Sequence, residues 1–275
     1  MAYASSFLES LLTNWAHTLL WMAGLAVGFG LLALVMPCNP GSAWWKDRRA
    51  ALTDVCYWFL VPLVVKWGRI LMLFAGMALL FDLRDKQSIE DFFDHGYGPL
   101  STLPMVLQCV LILLVQDVMM YWLHRLFHGN ALWKFHAIHH SPTSIDWMTS
   151  ARFHPVNSLL YSSLADVAVL LAGFSPQAMI WLAPLNTIYS GMVHANLNWT
   201  FGPLRFVFAS PVFHRWHHTS VKEGGMKNFA PTFPFLDVLF GTFYMPAGRR
   251  PEKYGVFDDN FPQTFWKQML HPFKK

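Results

Sequence analysis

Charge is what this chain has least of. Of its 275 residues, 20 are Lys or Arg and 16 are Asp or Glu, so 13% are charged and the formal balance is +4. Basic residues this few and this scattered leave no footprint for a nucleic-acid partner, and anionic lipid headgroups are the natural counter-charge. Cysteine is scarce as well. Cys38, Cys56 and Cys109 lie far apart without CxxC spacing, two of them in apolar segments, so they read as buried thiols rather than as bridges or ligands. No internal repeat, low-complexity tract or linker interrupts the chain, and a single domain over 1–275 is the economical organisation.

Apolar surface, by contrast, is in excess. Hydrophobic residues make up 54%, there are 13 tryptophans, and the mean hydropathy of +0.32 exceeds what one water-soluble core needs. An all-α integral membrane bundle follows. A helix crossing a hydrocarbon core of ~30 Å takes about 20 mostly apolar residues. His17 to Met36 fits, and Pro37, Asn39, Pro40 and Gly41 stop it. Its length, with no basic region before it and no small-residue cleavage pattern after it, reads as a retained helix rather than a secretory signal. Val55 to Phe81 is a second span and Leu103 to Leu123 a third; Leu159 to Val193, broken at GFSPQ, is long enough for two short or tilted helices. Four or five membrane-inserted helices are therefore expected. Residues 1–102 would carry N-terminal spans, 103–250 a histidine-rich core and 251–275 a C-terminal tail.

Loop charge orients the bundle. Lys46, Arg48 and Arg49 follow the first span, whereas Asp82, Asp85, Glu90, Asp91 and Asp94 dominate the link after the second. The positive-inside rule puts the first link in the cytoplasm, and counting crossings puts every histidine cluster and the tail there too. In a bacterium this is the inner membrane.

The stretch YWLHRLFHGNALWKFHAIHH, residues 121–140, holds five histidines. His124 and His128 stand at i and i+4, and His136, His139 and His140 at i, i+3 and i+4, spacings that put each set on one helix face. His214, His217 and His218 in HRWHH repeat the second spacing. Eight clustered imidazoles exceed the three or four ligands one ion usually takes, so two ions sharing them would use them. Isolated His17, His95 and His271 read as packing or interfacial residues. His194 follows the returning hairpin and reads as a ligand, while His154 in RFHP stands between a ligand and an orienting or substrate-facing group. Asp117 lies two helical turns before His124 on nearly the same face, inside an apolar span, and is expected to orient an imidazole. Asp117, His154 and Asn157 are thus the candidate catalytic or orienting residues. Asp146, Asn196, Asn228 and Asp237 are further ones, of types common at turns and caps. Arg125, Arg152 and Arg215 beside the clusters are either interfacial cations or groups that hold a headgroup or guide a donor. The surrounding aromatics, Trp133, Phe153 and Trp216 among them, fit an interfacial belt or the lining of a lipid slot.

These motifs, HxxxH at 124–128 and HxxHH at 136–140 and at 214–218, set in DVMMYWLHRLFH, FHAIHHSP, RFHP, HANLNW and FHRWHH, closely resemble the fatty acid hydroxylase and sterol desaturase superfamily. The resemblance runs from about Gln116 to Phe243. It implies a membrane-bound, non-haem di-iron enzyme that uses dioxygen and two electrons to oxidise a lipid C–H bond. It also makes the eight clustered histidines ligands and gives His194 an additional ligand position. Zinc would compete for an all-imidazole site during purification. A departure is the missing HPGG motif of a fused cytochrome-b-type domain, since Pro155 and Val156 follow His154. The resemblance then implies a separate electron donor, a ferredoxin or cytochrome-b-type protein with its reductase. The expected activity is hydroxylation of a fatty acyl, sterol, ether or amino lipid, with desaturation on the same site as the alternative. A histidine-rich metal transporter and a bis-histidine haem protein are the rivals from other classes; the first would need ionisable groups along a path at mid-membrane.

Overall fold

The computed structural model describes residues 2–42 and 45–274. Among these the chain is helical, with one isolated antiparallel bridge between Pro37 and Leu197 and no strand. Helix α1 (Ala2–Leu25) passes through a π-helical turn at Ala26–Gly30 into α2 (Leu31–Val35). Next come α3 (Arg48–Leu80), the short α4 (Lys86–His95) and α5 (Met105–Phe127). The stretch Glu9–Val35 and helices α3 and α5 are each long and apolar enough to cross a membrane. Their most apolar windows are only 11%, 6% and 22% buried. Side chains such as Leu71, Leu79 and Val106 point outward, and lipid is the environment that covers so much exposed apolar surface. This is a membrane helical bundle. Helix α3 begins seven residues before the expected Val55 because the Asp47 carboxylate caps it, accepting from the backbone N–H groups of Arg49 and Ala50.

The histidine-rich half adds α6 (Asn130–His140), α7 (Pro155–Leu171), α8 (Pro176–His194) and α9 (Pro211–His217). Three of these start alike, with proline at the first helical position and a capping side chain just before it. His154, Ser175 and Ser210 accept from the N–H groups of Val156, Gln177 and Phe213. Between α7 and α8 the chain reverses at Gly173, where φ is +83° and a Cβ would stand 2.4 Å from the Tyr97 carbonyl oxygen. Helix α5 is the axis: α7 packs between it and α3, and α8 packs on it and on α9.

The far ends of the bundle differ in chemistry. Met77 of α3, Phe92 of α4 and Leu170 of α7 form one apolar cluster at the acid-rich link, away from the histidines. At the opposite end of α3, Asp54 makes a buried ion pair with Arg152 at 2.6 Å. After α10 (Phe235–Leu239), the segment expected as a tail packs back here through α11 (Phe265–Leu270). Phe261 and Phe265 join Tyr57, Val61, Ala137 and Ile138 in one core. The Tyr57 hydroxyl donates to Gln268 at 2.9 Å, and the Gln268 amide donates to the Ser141 hydroxyl at 3.0 Å. Residues 251–274 therefore act as a strap joining α3 to α6.

Substituting Gly173→Ala should lower thermal stability by roughly 1–3 kcal/mol, the range for a strained left-handed residue meeting backbone. A melting curve of the detergent-solubilised protein checks it, and an unchanged midpoint would mean the turn relaxes freely.

Candidate metal centre

The end of α5, the whole of α6, the end of α8 and α9 converge, and they bring nine histidines together. His124, His128, His136, His140 and His217 form one group, and His139, His194, His214 and His218 a second. Within each group the ligand-capable ring atoms lie within 4.8 Å of one another, and eight of the nine side chains are deeply buried. The i, i+3, i+4 spacing splits its residues between the groups. His136 and His140 project to one, His139 to the other, and α9 divides likewise between His217 and the pair His214 and His218.

Five of the nine rings are aimed by their outer nitrogen. His124 Nδ1 donates to the Phe229 carbonyl at 2.7 Å, His217 Nδ1 to that of Lys227 at 2.7 Å, and His194 Nδ1 to that of Ser190 at 2.7 Å. His139 Nδ1 donates to the Arg152 carbonyl at 3.3 Å, and His136 Nδ1 to the Asn157 side-chain oxygen at 2.8 Å. A carbonyl can only accept, so these bonds fix the tautomer and leave Nε2 as a lone pair pointing inward. Burial, reinforced by the neighbouring imidazoles, holds His139, His140, His217 and His218 well below the ordinary imidazole range. The rings are neutral at neutral pH, the form that binds metal.

The inward lone pairs need a cation. Nε2 of His124, His136 and His140 are buried without a hydrogen-bond partner. His139 Nε2 and His194 Nε2 stand 3.3 Å apart although both rings already donate through Nδ1, so two lone pairs face each other. A metal ion in each group would turn that repulsion into ligation. An all-imidazole donor set suits iron, zinc, copper or nickel; no carboxylate or thiolate belongs to either group.

Residues 109–242 match the family model described as fatty acid hydroxylase. The matched region belongs to the fatty acid hydroxylase superfamily. Among curated proteins it is 31% identical to the ornithine lipid hydroxylase OlsE of Rhizobium tropici over 62% of this chain and 52% of that protein. It is 30% identical to the alkylglycerol monooxygenase of Caenorhabditis elegans over 57% of this chain and 31% of the relative. With the very-long-chain aldehyde decarbonylase GL1-11 of Oryza sativa subsp. japonica it shares 30% identity over 53% of this chain and 58% of the relative. The aligned region thus spans about half of two of these relatives and under a third of the nematode one. No solved structure matches the chain.

The superfamily chain uses its remaining polar residues differently from one another. Asn157 orients His136 directly. Asp117, expected to hold an imidazole, touches none; its two oxygens accept from the backbone N–H groups of Thr232 and Phe233 at 2.8 and 2.9 Å. Asp237 does the same for Phe229 and Ala230 at 2.8 and 2.9 Å. The two carboxylates pin the loop that presents the Phe229 carbonyl to His124, so Asp117 acts one step back from the ring. His154 stays outside both groups, with Nδ1 capping α7 and Nε2 donating to the Met269 carbonyl at 3.2 Å. Asp146 caps the turn at Trp147–Ala151, Asn196 bridges to Asn39 and Ser42, and Asn228 bridges Phe213 and Tyr244. Arg152 and Arg215 are buried and structural, the first paired with Asp54 and the second donating to the Ile145 carbonyl at 2.7 Å and to Tyr254. Arg125 is exposed and lies over the Trp122 ring.

Beneath the histidines opens a cavity of about 390 Å³ between α5, α7 and α8. His124 and His136 of one group and His139, His194 and His214 of the other all line it. Phe153, stacked on the His139 ring at 3.9 Å, closes one wall.

Replacing Asn157 by Leu should weaken metal binding about 10- to 100-fold, the usual effect of losing a group that orients a ligand. Competition with a chelator of known affinity measures it; retention of wild-type affinity would mean that His136 is held by its neighbours alone.

Proposed function

We propose that this chain is a membrane-bound, non-haem di-iron monooxygenase that hydroxylates a lipid with dioxygen and two electrons from a separate donor protein. One observation carries the reading: the cavity is lined by both histidine groups at once, so a single bound molecule is within reach of two adjacent metal positions. Iron bound there would supply the redox chemistry needed to activate dioxygen, which redox-inert zinc cannot. Neutral imidazoles hold the ions without adding negative charge. The protein's further part is to position and to exclude water. Burial of the rings, the Phe153 wall and the apolar faces of α5, α7 and α8 keep the reacting carbon away from bulk solvent.

Hydroxylation is favoured over desaturation because the named relatives include a lipid hydroxylase and an alkylglycerol monooxygenase. The metal-transporter reading fits less well. Arg69, deep in α3, is paired with Asp166 at 2.7 Å, and Lys66 bonds Asn14 at 3.2 Å, so these charges are taken up by partners rather than lining an ion path.

The reaction takes up one oxygen atom from dioxygen into the lipid and reduces the other to water with two electrons and two protons. Iron-loaded protein given lipid under isotopically heavy dioxygen and a ferredoxin or cytochrome-b-type reducing system should form a product carrying one heavy oxygen atom. A desaturated, unlabelled product would indicate the alternative reaction, and metal flux into liposomes without lipid product would indicate a transporter. His139→Ala should abolish turnover.

The multi-pass arrangement we favour has the histidine groups in the cytoplasm. Lys46, Arg48 and Arg49 stand at the histidine end of α3, and the acid-rich link stands at the other. In a cysteine-free background, single cysteines replacing Ser88 and Ser220 should react with an impermeant reagent from opposite sides of sealed vesicles. Reaction from one side would overturn the arrangement.

A further inference from the structure

Metal binding leaves the far end of the cavity unexplained. The α7 lining residues Ser158, Tyr161, Ser162, Ala165 and Asp166 share one helix face and run about 12 Å away from the histidines at the helical rise. Gln116 stands eight residues before His124 on α5, and Asn186 eight residues before His194 on α8, so each is also about 12 Å from the histidine of its own helix. Asp166 stands nine residues beyond Asn157, the residue that holds His136, or about 14 Å. Three helices thus place polar side chains at one depth, and Arg69 reaches in from α3 to complete the layer.

Polar groups inside apolar helices are unfavourable unless they are partnered or serve a ligand. Arg69 and Asp166 are partnered, through Nε to Oδ2 at 2.9 Å and Nη2 to both oxygens at 2.9 and 2.7 Å, and their charges cancel. The side-chain amides of Gln116 and Asn186 make no hydrogen bond among the described residues, yet both line the cavity. Each offers a donor and an acceptor. The pair is also partly open, with the Arg69 side chain 44% and that of Asp166 15% exposed.

We propose that this layer is a recognition site for an uncharged hydrogen-bonding group of the lipid substrate, a hydroxyl or amide. The proposal rests on the cavity being the lipid site of the function given above. A neutral hydroxyl or amide can bond Asn186, Gln116 and the outer faces of the ion pair without separating it. A carboxylate or phosphate would have to compete with Asp166 for Arg69 and leave like charges side by side in an apolar surrounding. The layer then acts as a ruler: with the polar group fixed there, the distance to the two histidine groups selects the carbon presented for oxidation.

The test is binding, which needs neither electrons nor oxygen. Detergent-purified full-length protein is equilibrated with tritiated hexadecylglycerol, hexadecanoate or hexadecane, which share a chain and differ at its end. The wild type should bind hexadecylglycerol about tenfold or more tighter than either other probe, the scale of one or two net hydrogen bonds. Asn186→Leu, at a position outside the packed core, should cut hexadecylglycerol binding about tenfold and leave hexadecane unchanged. Asp166→Asn leaves Arg69 uncompensated and should turn the preference toward hexadecanoate, a reversal that loss of packing would not produce. Equal binding of the three probes, or tighter hexadecanoate binding by the wild type, overturns the recognition site and leaves lipid oxidation standing; no saturable binding of any probe overturns both.

Discussion

Nine neutral imidazoles crowded into two buried groups are the constraint on which this structure turns. Such a cluster has no complete internal hydrogen-bonding solution, because five of its rings have already committed their single N–H to an outward acceptor and the inward Nε2 atoms of His124, His136 and His140 have no partner. The arrangement is stable only if something positive lies between the rings and something rigid stands behind them. The positive partner is the metal. The rigid backing is the protein's own task, and most of the polar residues outside the groups serve it.

That backing is built largely from main chain. Four of the five ring donors end on carbonyl oxygens, those of Phe229, Arg152, Ser190 and Lys227. The Ser190 carbonyl sits in α8 and is already fixed, and that of Arg152 follows directly on the turn at Trp147–Ala151. The segment from Lys227 to Phe233 is irregular, and there buried side chains take over: Asp237 and Asp117 accept from the loop's backbone, and Asn228, within the loop, ties it to the Phe213 and Tyr244 carbonyls. Burial raises the Asp237 carboxyl above its ordinary value even though three donors surround it. Its hydrogen bonds with Phe229, Ala230 and Thr242 oppose that rise, which is what a carboxylate recruited to hold backbone should show.

The sequence made part of this legible. Histidine spacing needs only the helical period, and the nine histidines singled out by spacing and neighbourhood are the nine that the fold gathers. The α7–α8 reversal was visible in GFSPQ because glycine and proline have local conformational meanings. Orienting carbonyls were invisible, since every residue has one and only the fold decides which faces a ring. Asp117 was conspicuous as a charge in an apolar helix, but sequence proximity suggested His124 as its partner when the true partners lie more than a hundred residues away. His154 misled for a related reason. A histidine before proline can cap a helix as well as bind a metal, and here it caps. The strap at 251–274 gave no signal because its anchors, Tyr57 to Gln268 and Ser141 to Gln268, join distant parts of the chain.

The division of α6 and α9 between the two histidine groups has a consequence for how the protein is made. Neither group can be completed from one continuous stretch: the first needs His217, and the second needs His214 and His218, from the far side of the α7–α8 hairpin. During synthesis α5 and α6 emerge long before α9, and the carbonyl that aims His124 comes later still. His139 therefore emerges before every other member of its group, whereas four of the five members of the first group, His124, His128, His136 and His140, emerge together. Completion of the two groups is in this sense the closing event of assembly, because no earlier stage holds all the side chains that meet there.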